Sequence, residues 1–281
     1  MKIVRTIKQL RRLIQTAKQR GKTIGFVPTM GALHKGHVLL MRRCRKENDL
    51  AVVSIFVNPK QFGPKEDFKH YPRNKQKDIS LAKRENVDII FYPSVDEIYP
   101  SRYCSYIDVG HLTKGLCGKF RPGHFRGVAT VVGKLLNIVT PGTLYLGQKD
   151  AQQCVIIQQM IRDLNWDTKV KIIPTVREAD GLAMSSRNQY LTDRQRQEAP
   201  VLYQSLRLAK QHISEGKRQA KTICAMIRRF VQGKTSGAIQ YIECVDAQTL
   251  TPLRVLKGSV LIALAVWFGE TRLIDNIRID V

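Results

Sequence analysis

Acidic side chains are scarce in this sequence. Lys and Arg number 47 against 23 Asp and Glu, the formal charge is +24, and the first acidic residue is Glu47. Long apolar runs are missing too. The longest, Val260 to Phe268, falls well short of the ~20 residues a membrane-spanning helix needs and has the composition of a buried strand. Behind Lys2 and Arg5 the N-terminus lacks the apolar stretch of a secretory leader, so a cytoplasmic protein without a membrane span is expected. Six cysteines (Cys44, Cys104, Cys117, Cys154, Cys224 and Cys244) form no C-x-x-C pair and have no matching histidine cluster. That pattern encodes neither a zinc site nor a disulfide framework and predicts reduced thiols. Neither G-x-G-x-x-G nor the P-loop pattern G-x-x-x-x-G-K-S/T occurs, so any nucleotide is held by another device. No internal repeat or low-complexity tract is present.

What is there suffices for a folded enzyme: 281 residues of ordinary apolar content bury a full core, in one large domain or two smaller ones. The positive charge has two readings. Phosphate neutralisation by Lys and Arg would suit RNA or DNA, and a basic surface also attracts anionic small molecules. The basic residues are spread along the whole chain with no nucleic-acid module among them, so no specific nucleic-acid partner is expected.

Up to about residue 175, short apolar runs bounded by Gly, Pro or Asn alternate with helical spacing. The runs 23–27, 51–57, 87–91, 143–146 and 169–173 read as buried parallel strands, with helical segments at 37–46, 128–139 and 150–164. This is the rhythm of an α/β fold, a Rossmann-like doubly wound parallel sheet. Beyond Pro174 come a polar loop, helical stretches near 193–212 and 219–231, and strand candidates at 241–245, 259–268 and 271–278. They predict a smaller C-terminal α+β domain, dividing the chain into 1–175 and 176–281.

Five segments carry chemistry. Pro28 to His37 follows the first predicted strand and opens a helix, where unpaired N–H groups and the helix dipole favour an anion. His34 and His37 can donate ring N–H groups to phosphate there, or simply cap the helix. Asn58 and Gln61 follow the next strand, and amides there can hold a carboxylate without pairing away its charge; the same residues also make a plain turn. Arg121 to Gly127 is a basic, glycine-bearing loop that suits a phosphate or a helix start. In Gly147 to Gln153, Lys149 can reach a triphosphate, Asp150 can cap a helix or meet a ribose hydroxyl, and Gln153 lies one turn further in. Ser185, Ser186 and Arg187 form an anion-binding loop at the start of the second unit, suited to closing over phosphates, or else a Ser-rich linker.

An H-x-G-H segment followed late in the chain by M-S-S-R resembles the nucleotidyltransferase superfamily. The fuller set P-T-M-G-A-L-H-K-G-H, S-I-F-V-N-P-K-Q-F-G, D-F-K-H-Y-P-R, R-P-G-H-F-R-G-V-A-T-V-V, G-Q-K-D-A-Q-Q and D-G-L-A-M-S-S-R-N-Q-Y-L-T resembles the pantothenate synthetases, or pantoate–β-alanine ligases, over essentially the whole chain. The resemblance implies that ATP joins pantoate to β-alanine through a pantoyl-adenylate, releasing AMP and pyrophosphate. It implies an ATP site made by Met30, Gly31, Ala32, Leu33, His34, Lys35, Gly36, His37, Gly147, Gln148, Lys149, Asp150, Val176, Met184, Ser185, Ser186 and Arg187. Among these, His34, His37, Lys149, Ser185, Ser186 and Arg187 would act in catalysis, with His37 as catalytic acid. Gln61 and Gln153 would hold pantoate, and Gln61 would border β-alanine. Magnesium and a homodimer formed through the first domain are also implied, with no ligand set given for the metal. Gln148 stands where the family usually has Glu, a departure from which little chemical loss is expected. The high basicity is also unusual for the family and leaves a secondary interaction with polyanions open.

Overall fold

The computed structural model describes residues 1–64 and 66–281. The larger sheet consists of β1 (Lys2–Val4), β2 (Ile24–Thr29), β3 (Leu50–Ile55), β4 (Ile89–Phe91), β5 (Thr143–Gly147) and β6 (Lys169–Ile173), all parallel, in the order β1-β4-β3-β2-β5-β6. Helices α1 (Ile7–Gln19), α2 (Lys35–Glu47), α3 (Lys75–Arg84), α4 (Val95–Ile98), α5 (Leu116–Phe120), α6 (His124–Val139) and α7 (Ala151–Asp163) fill the connections. The central strands are almost wholly buried, as strands covered on both faces must be. Helices α1, α6 and α7 share one apolar core, and α2 and α3 share another. The order of strands reverses between β2 and β5, and the crevice beyond the carboxyl ends of such a pair is where doubly wound sheets bind ligands.

Helices α8 (Asp193–Glu198), α9 (Val201–Ser214) and α10 (Ala220–Gln232) follow, and then the antiparallel sheet β7 (Ala238–Asp246), β8 (Ser259–Phe268) and β9 (Thr271–Asp280). The predicted helical stretch 193–212 is thus two helices, divided at Pro200, whose missing N–H suits a helix start. This part has its own core. A further cluster joins the two parts, packing Leu116, Phe125 and Ile156 with Tyr241, Leu261 and Ala263.

The short helices α4 and α5 and the edge strand β1 went unpredicted, and so did two longer helices, α1 and α3. Their buried residues are few (Leu10, Ile14 and Ala17 in α1; Asp78 and Ala82 in α3), and in both the apolar stripe is diluted by Lys and Arg. Helix α6 starts at His124, so the final residues of the basic Arg121 to Gly127 segment already lie in its first turn. Among the described residues, no helix is long and apolar enough to cross a membrane.

Candidate active site

β2 runs into a tight turn in which Gly31 and Ala32 both have positive φ, 83° and 51°. Glycine adopts that conformation freely and alanine does not. The turn persists because Asp78 of α3, only 2% exposed, accepts the N–H groups of Ala32 (3.0 Å) and Leu33 (2.8 Å). Burial raises the Asp78 pKa, while these two bonds pull it back. His34 is the N-cap of α2, and its Nδ1 accepts the Gly36 N–H at 3.1 Å. His37 closes the capping box by accepting the His34 N–H on its own Nδ1 at 3.3 Å. With Nδ1 an acceptor in both rings, the proton of each neutral imidazole sits on Nε2. Burial, and then the charge of Lys149, lowers His34 to about 4. Burial, followed by His34 and Lys149, holds His37 well below the ordinary value. Near neutral pH the pair therefore presents two uncharged N–H donors, and capping through Nδ1 leaves each Nε2–H available.

β3 delivers Asn58, which is 1% exposed. Its Nδ2 donates to Gln61 Oε1 (2.9 Å) and to the Gly127 carbonyl (3.1 Å), and its Oδ1 accepts from the Tyr99 hydroxyl (2.8 Å). A carbonyl only accepts, so the orientation of the Asn58 amide is determined, and with it that of Gln61. Gln61 spends its oxygen on Asn58, and its Nε2 gives one hydrogen to Met30 Sδ at 3.1 Å and has a second to donate. A Cβ at Gly127 would lie 2.2 Å from the Lys60 oxygen, so glycine is what lets α6 approach this turn. His124 donates from Nδ1 to the Gln61 carbonyl at 2.8 Å and contacts Arg121 Nη1 through Nε2 at 3.1 Å. Burial and then the Arg121 charge lower it to about 4. Arg121 grips Glu66 with two bonds of 2.7 and 2.5 Å.

β5 ends at Gly147 and leads through Lys149 and Asp150 into α7. Asp150 occupies the N-cap position but makes no capping bond, so its carboxylate is not used by its own helix. Beyond β6 the Met184 N–H donates to the Val176 carbonyl at 2.9 Å, which brings the following loop back to the sheet. In that loop Ser185 Oγ accepts the Arg187 N–H at 3.2 Å. The Arg187 guanidinium reaches Asp67 through Nε and Nη2, both at 2.9 Å, and among the described residues Nη1 has no hydrogen-bond partner. Burial alone would raise Asp67, but the bonds and charge of Arg187 hold it below its ordinary pKa.

These elements enclose one cavity of about 240 Å³. Met30, His34, Gly36 and His37 line it beside Gln61, as do Gly147, Lys149, Asp150 and Gln153. Val176, Met184, Ser185, Ser186 and Arg187 complete the wall. Five predicted residues stand outside the lining. Gly31, Ala32 and Leu33 give their N–H groups to Thr29 and Asp78. Lys35 is exposed, and Gln148 turns to Asn276. Sequence reading missed Asp78, Tyr99 and Thr175, whose Oγ1 is buried without a partner at the cavity wall. Asp67 lies within the quoted D-F-K-H-Y-P-R segment, but nothing in that string shows that it pairs with Arg187. Among the described residues, no group of three or more His, Cys, Asp or Glu is arranged to hold a metal.

A family model described as pantoate-beta-alanine ligase matches residues 2–278. The chain is 50% identical over 281 residues to a pantothenate synthetase of Moorella thermoacetica, covering 100% of this chain and 99% of that protein. It is 51% identical over 280 residues to one of Fervidobacterium nodosum, covering 100% of both. The crystal structure of pantothenate synthetase from Thermus thermophilus superposes with a TM-score of 0.94 at 41% identity, covering 99% of each chain. Pantoate-beta-alanine ligase from Francisella tularensis, complexed with beta-gamma ATP and beta-alanine, superposes with a TM-score of 0.81 at 37% identity, covering 99% of this chain and 97% of that one.

Proposed function

This chain belongs to the pantoate–β-alanine ligase family, and from that premise we propose how its own side chains divide the ATP-dependent joining of pantoate to β-alanine. The supporting observation is one cavity at the carboxyl ends of β2, β3, β5 and β6, with cationic and N–H donors on one side and amides on the other. Lys149, Arg187 and the Nε2–H groups of His34 and His37 face the triphosphate. The Nε2 of Gln61, together with Gln153, holds pantoate, and Gln61 borders the β-alanine position. Thr175 Oγ1, Val176 and Met184 meet the nucleoside.

In the first step a pantoate carboxylate oxygen attacks the α-phosphorus, the bond from that phosphorus to the α,β-bridging oxygen breaks, and pyrophosphate leaves with the electron pair. Donors already fixed by a helix cap stabilise that growing charge without reorganising. In our reading His37 does this as an uncharged hydrogen-bond donor, a softer role than proton release from an imidazolium. In the second step the β-alanine amine attacks the acyl carbon and AMP departs. The Ser185 to Arg187 loop covers the cavity and keeps water from the mixed anhydride. Among the described residues Asp150 is the one carboxylate lining the cavity, which suits magnesium carried by the triphosphate better than a resident metal. When bound, the ion would neutralise phosphate charge.

The division of the chain at residue 175 belongs to the same reading, as do a homodimer formed through the first domain and a cytoplasmic location. All six cysteines are free thiols, which suits a reducing compartment. The test is AMP release with each of ATP, pantoate and β-alanine omitted in turn. AMP should turn over only with all three present, and ATP with pantoate alone should give a burst of pyrophosphate. An adenylated product accumulating in the presence of β-alanine would point instead to an adenylyltransferase.

A further inference from the structure

We propose that Asn276, a residue of the C-terminal sheet, is a positioning residue that sets the path of the Gln148–Lys149 backbone and so directs the Lys149 ammonium into the substrate cavity. The proposal rests on the nucleotide-binding role given to Lys149 above. Asn276 lies on β9 and is 5% exposed. Its Nδ2 donates to the Gln148 carbonyl at 3.1 Å and to the Lys149 carbonyl at 2.9 Å. Its Oδ1 accepts from Gln148 Nε2 at 3.2 Å. Because carbonyls only accept, the amide can sit in one orientation alone, with both amide hydrogens directed to one loop of the other sheet. Neither Asp nor Ser does the same. Asp lacks the donors and would press a carboxylate against two carbonyl oxygens, and Ser has a single hydrogen to give.

The neighbouring residue anchors the clamp. The Asn276 N–H donates to Asp275 Oδ1 at 2.8 Å. Asp275, 3% exposed, holds Arg177 by bonds of 2.7 and 2.9 Å. Arg177 in turn donates to the Gly181 carbonyl at 3.0 Å and lies 3.5 Å from the Tyr203 ring centroid. Two successive residues of β9 therefore hold the loop that carries Lys149 and the segment that leads to Ser185. Gln148 fits the same arrangement, since its Nε2 supplies the donor that Asn276 Oδ1 accepts. A Glu at that position could only accept, and it would compete with the two carbonyls for the Asn276 hydrogens.

A double-mutant cycle of Asn276→Ala with Lys149→Ala tests the proposal in the full-length protein. It is read as the dissociation constant of a βγ-non-hydrolysable ATP analogue, with a thermal melt to check folding. If Asn276 acts through Lys149, Asn276→Ala weakens the analogue about tenfold in the parent background and less than about twofold beside Lys149→Ala, as coupled residues behave. Equal losses in both backgrounds, or no loss in the parent, overturn the proposal. Should Asn276→Ala fail to fold, Asn276→Ser is run through the same cycle under the same criterion. Parent protein that binds the analogue but releases no AMP from the three substrates sinks the functional reading. Parent protein that turns over while the cycle is additive sinks only the role of Asn276.

Discussion

The two walls of the cavity are held by different kinds of force. The wall after β2 and β3 is braced by hydrogen bonds to backbone and amide groups: two imidazoles locked by a helix cap, a turn whose N–H groups are tied to Asp78, and an amide chain from Tyr99 through Asn58 to Gln61. The wall contributed by Ser185 to Arg187 is tied down by an ion pair to Asp67, whose partners are 27% and 29% exposed. A cap cannot be rearranged without loosening its helix, whereas an arginine can exchange or share its anion at small cost, because partly exposed ion pairs are weak. On the proposed reading the contrast separates the two tasks of a ligase: dipoles that are ready before the substrate arrives, and a charge that settles over it afterwards.

The sharpest way to break this comparison is His37→Ala. Removing a preorganised donor should lower kcat about 10²- to 10³-fold, with the pantoate KM moving less than about threefold, as read from steady-state AMP release. Equal losses in turnover and pantoate affinity would show that the ring binds substrate in general and has no special preference for the transition state. Gln61→Ala comes next. It removes one oriented donor and should raise the pantoate KM about tenfold, the worth of a hydrogen bond to a charged group; an unchanged pantoate KM would remove Gln61 from that wall. Asp67→Asn probes the other side and should lower kcat/KM for ATP only about threefold, in keeping with a partly exposed pair. A loss as large as that of His37→Ala would erase the distinction between the walls, and a gain would mean that Asp67 competes with ATP for Arg187.

The smallest effect is on stability against pH. His34 and His124 are lowered to about 4 and His37 lies well below its ordinary value of 6.5, so the folded protein keeps all three neutral where the unfolded chain takes up protons. Their contribution is complete above the unfolded value of 6.5 and is lost as pH falls towards about 4. The slope approaches 1.4 kcal/mol per pH unit for each histidine at most, an order-of-magnitude figure of about that size. The melting temperature should therefore drop across that window, and His34→Gln should flatten the drop. An unaltered profile in the variant would contradict the neutral ring.

Residues that announce themselves in the sequence are those at the ends of buried strands. His34, His37 and Lys149 were legible because apolar runs stop and polar residues follow, Arg187 because it follows a pair of serines, and all four line one cavity. The parallel sheet and the antiparallel C-terminal strands were legible for the same reason. Asp78 and Asn276 were not. Each acts on backbone atoms of a distant loop, across 45 or 46 residues for Asp78 and 127 or 128 for Asn276, and backbone acceptors and donors leave no trace in residue type. The tautomers of His34 and His37 were hidden likewise, since they follow from which main-chain N–H each ring accepts.

The apolar cluster that joins Leu116, Phe125 and Ile156 to Tyr241, Leu261 and Ala263 sets how the molecule comes apart. Cutting the chain near residue 175 would leave greasy faces on both fragments, with nothing to shield them from water. Heating the intact protein should give a single cooperative endotherm, because neither half keeps its shape once the seam has opened. Swapping the C-terminal half for that of a distant relative would then require matching the seam first and the catalytic loops second.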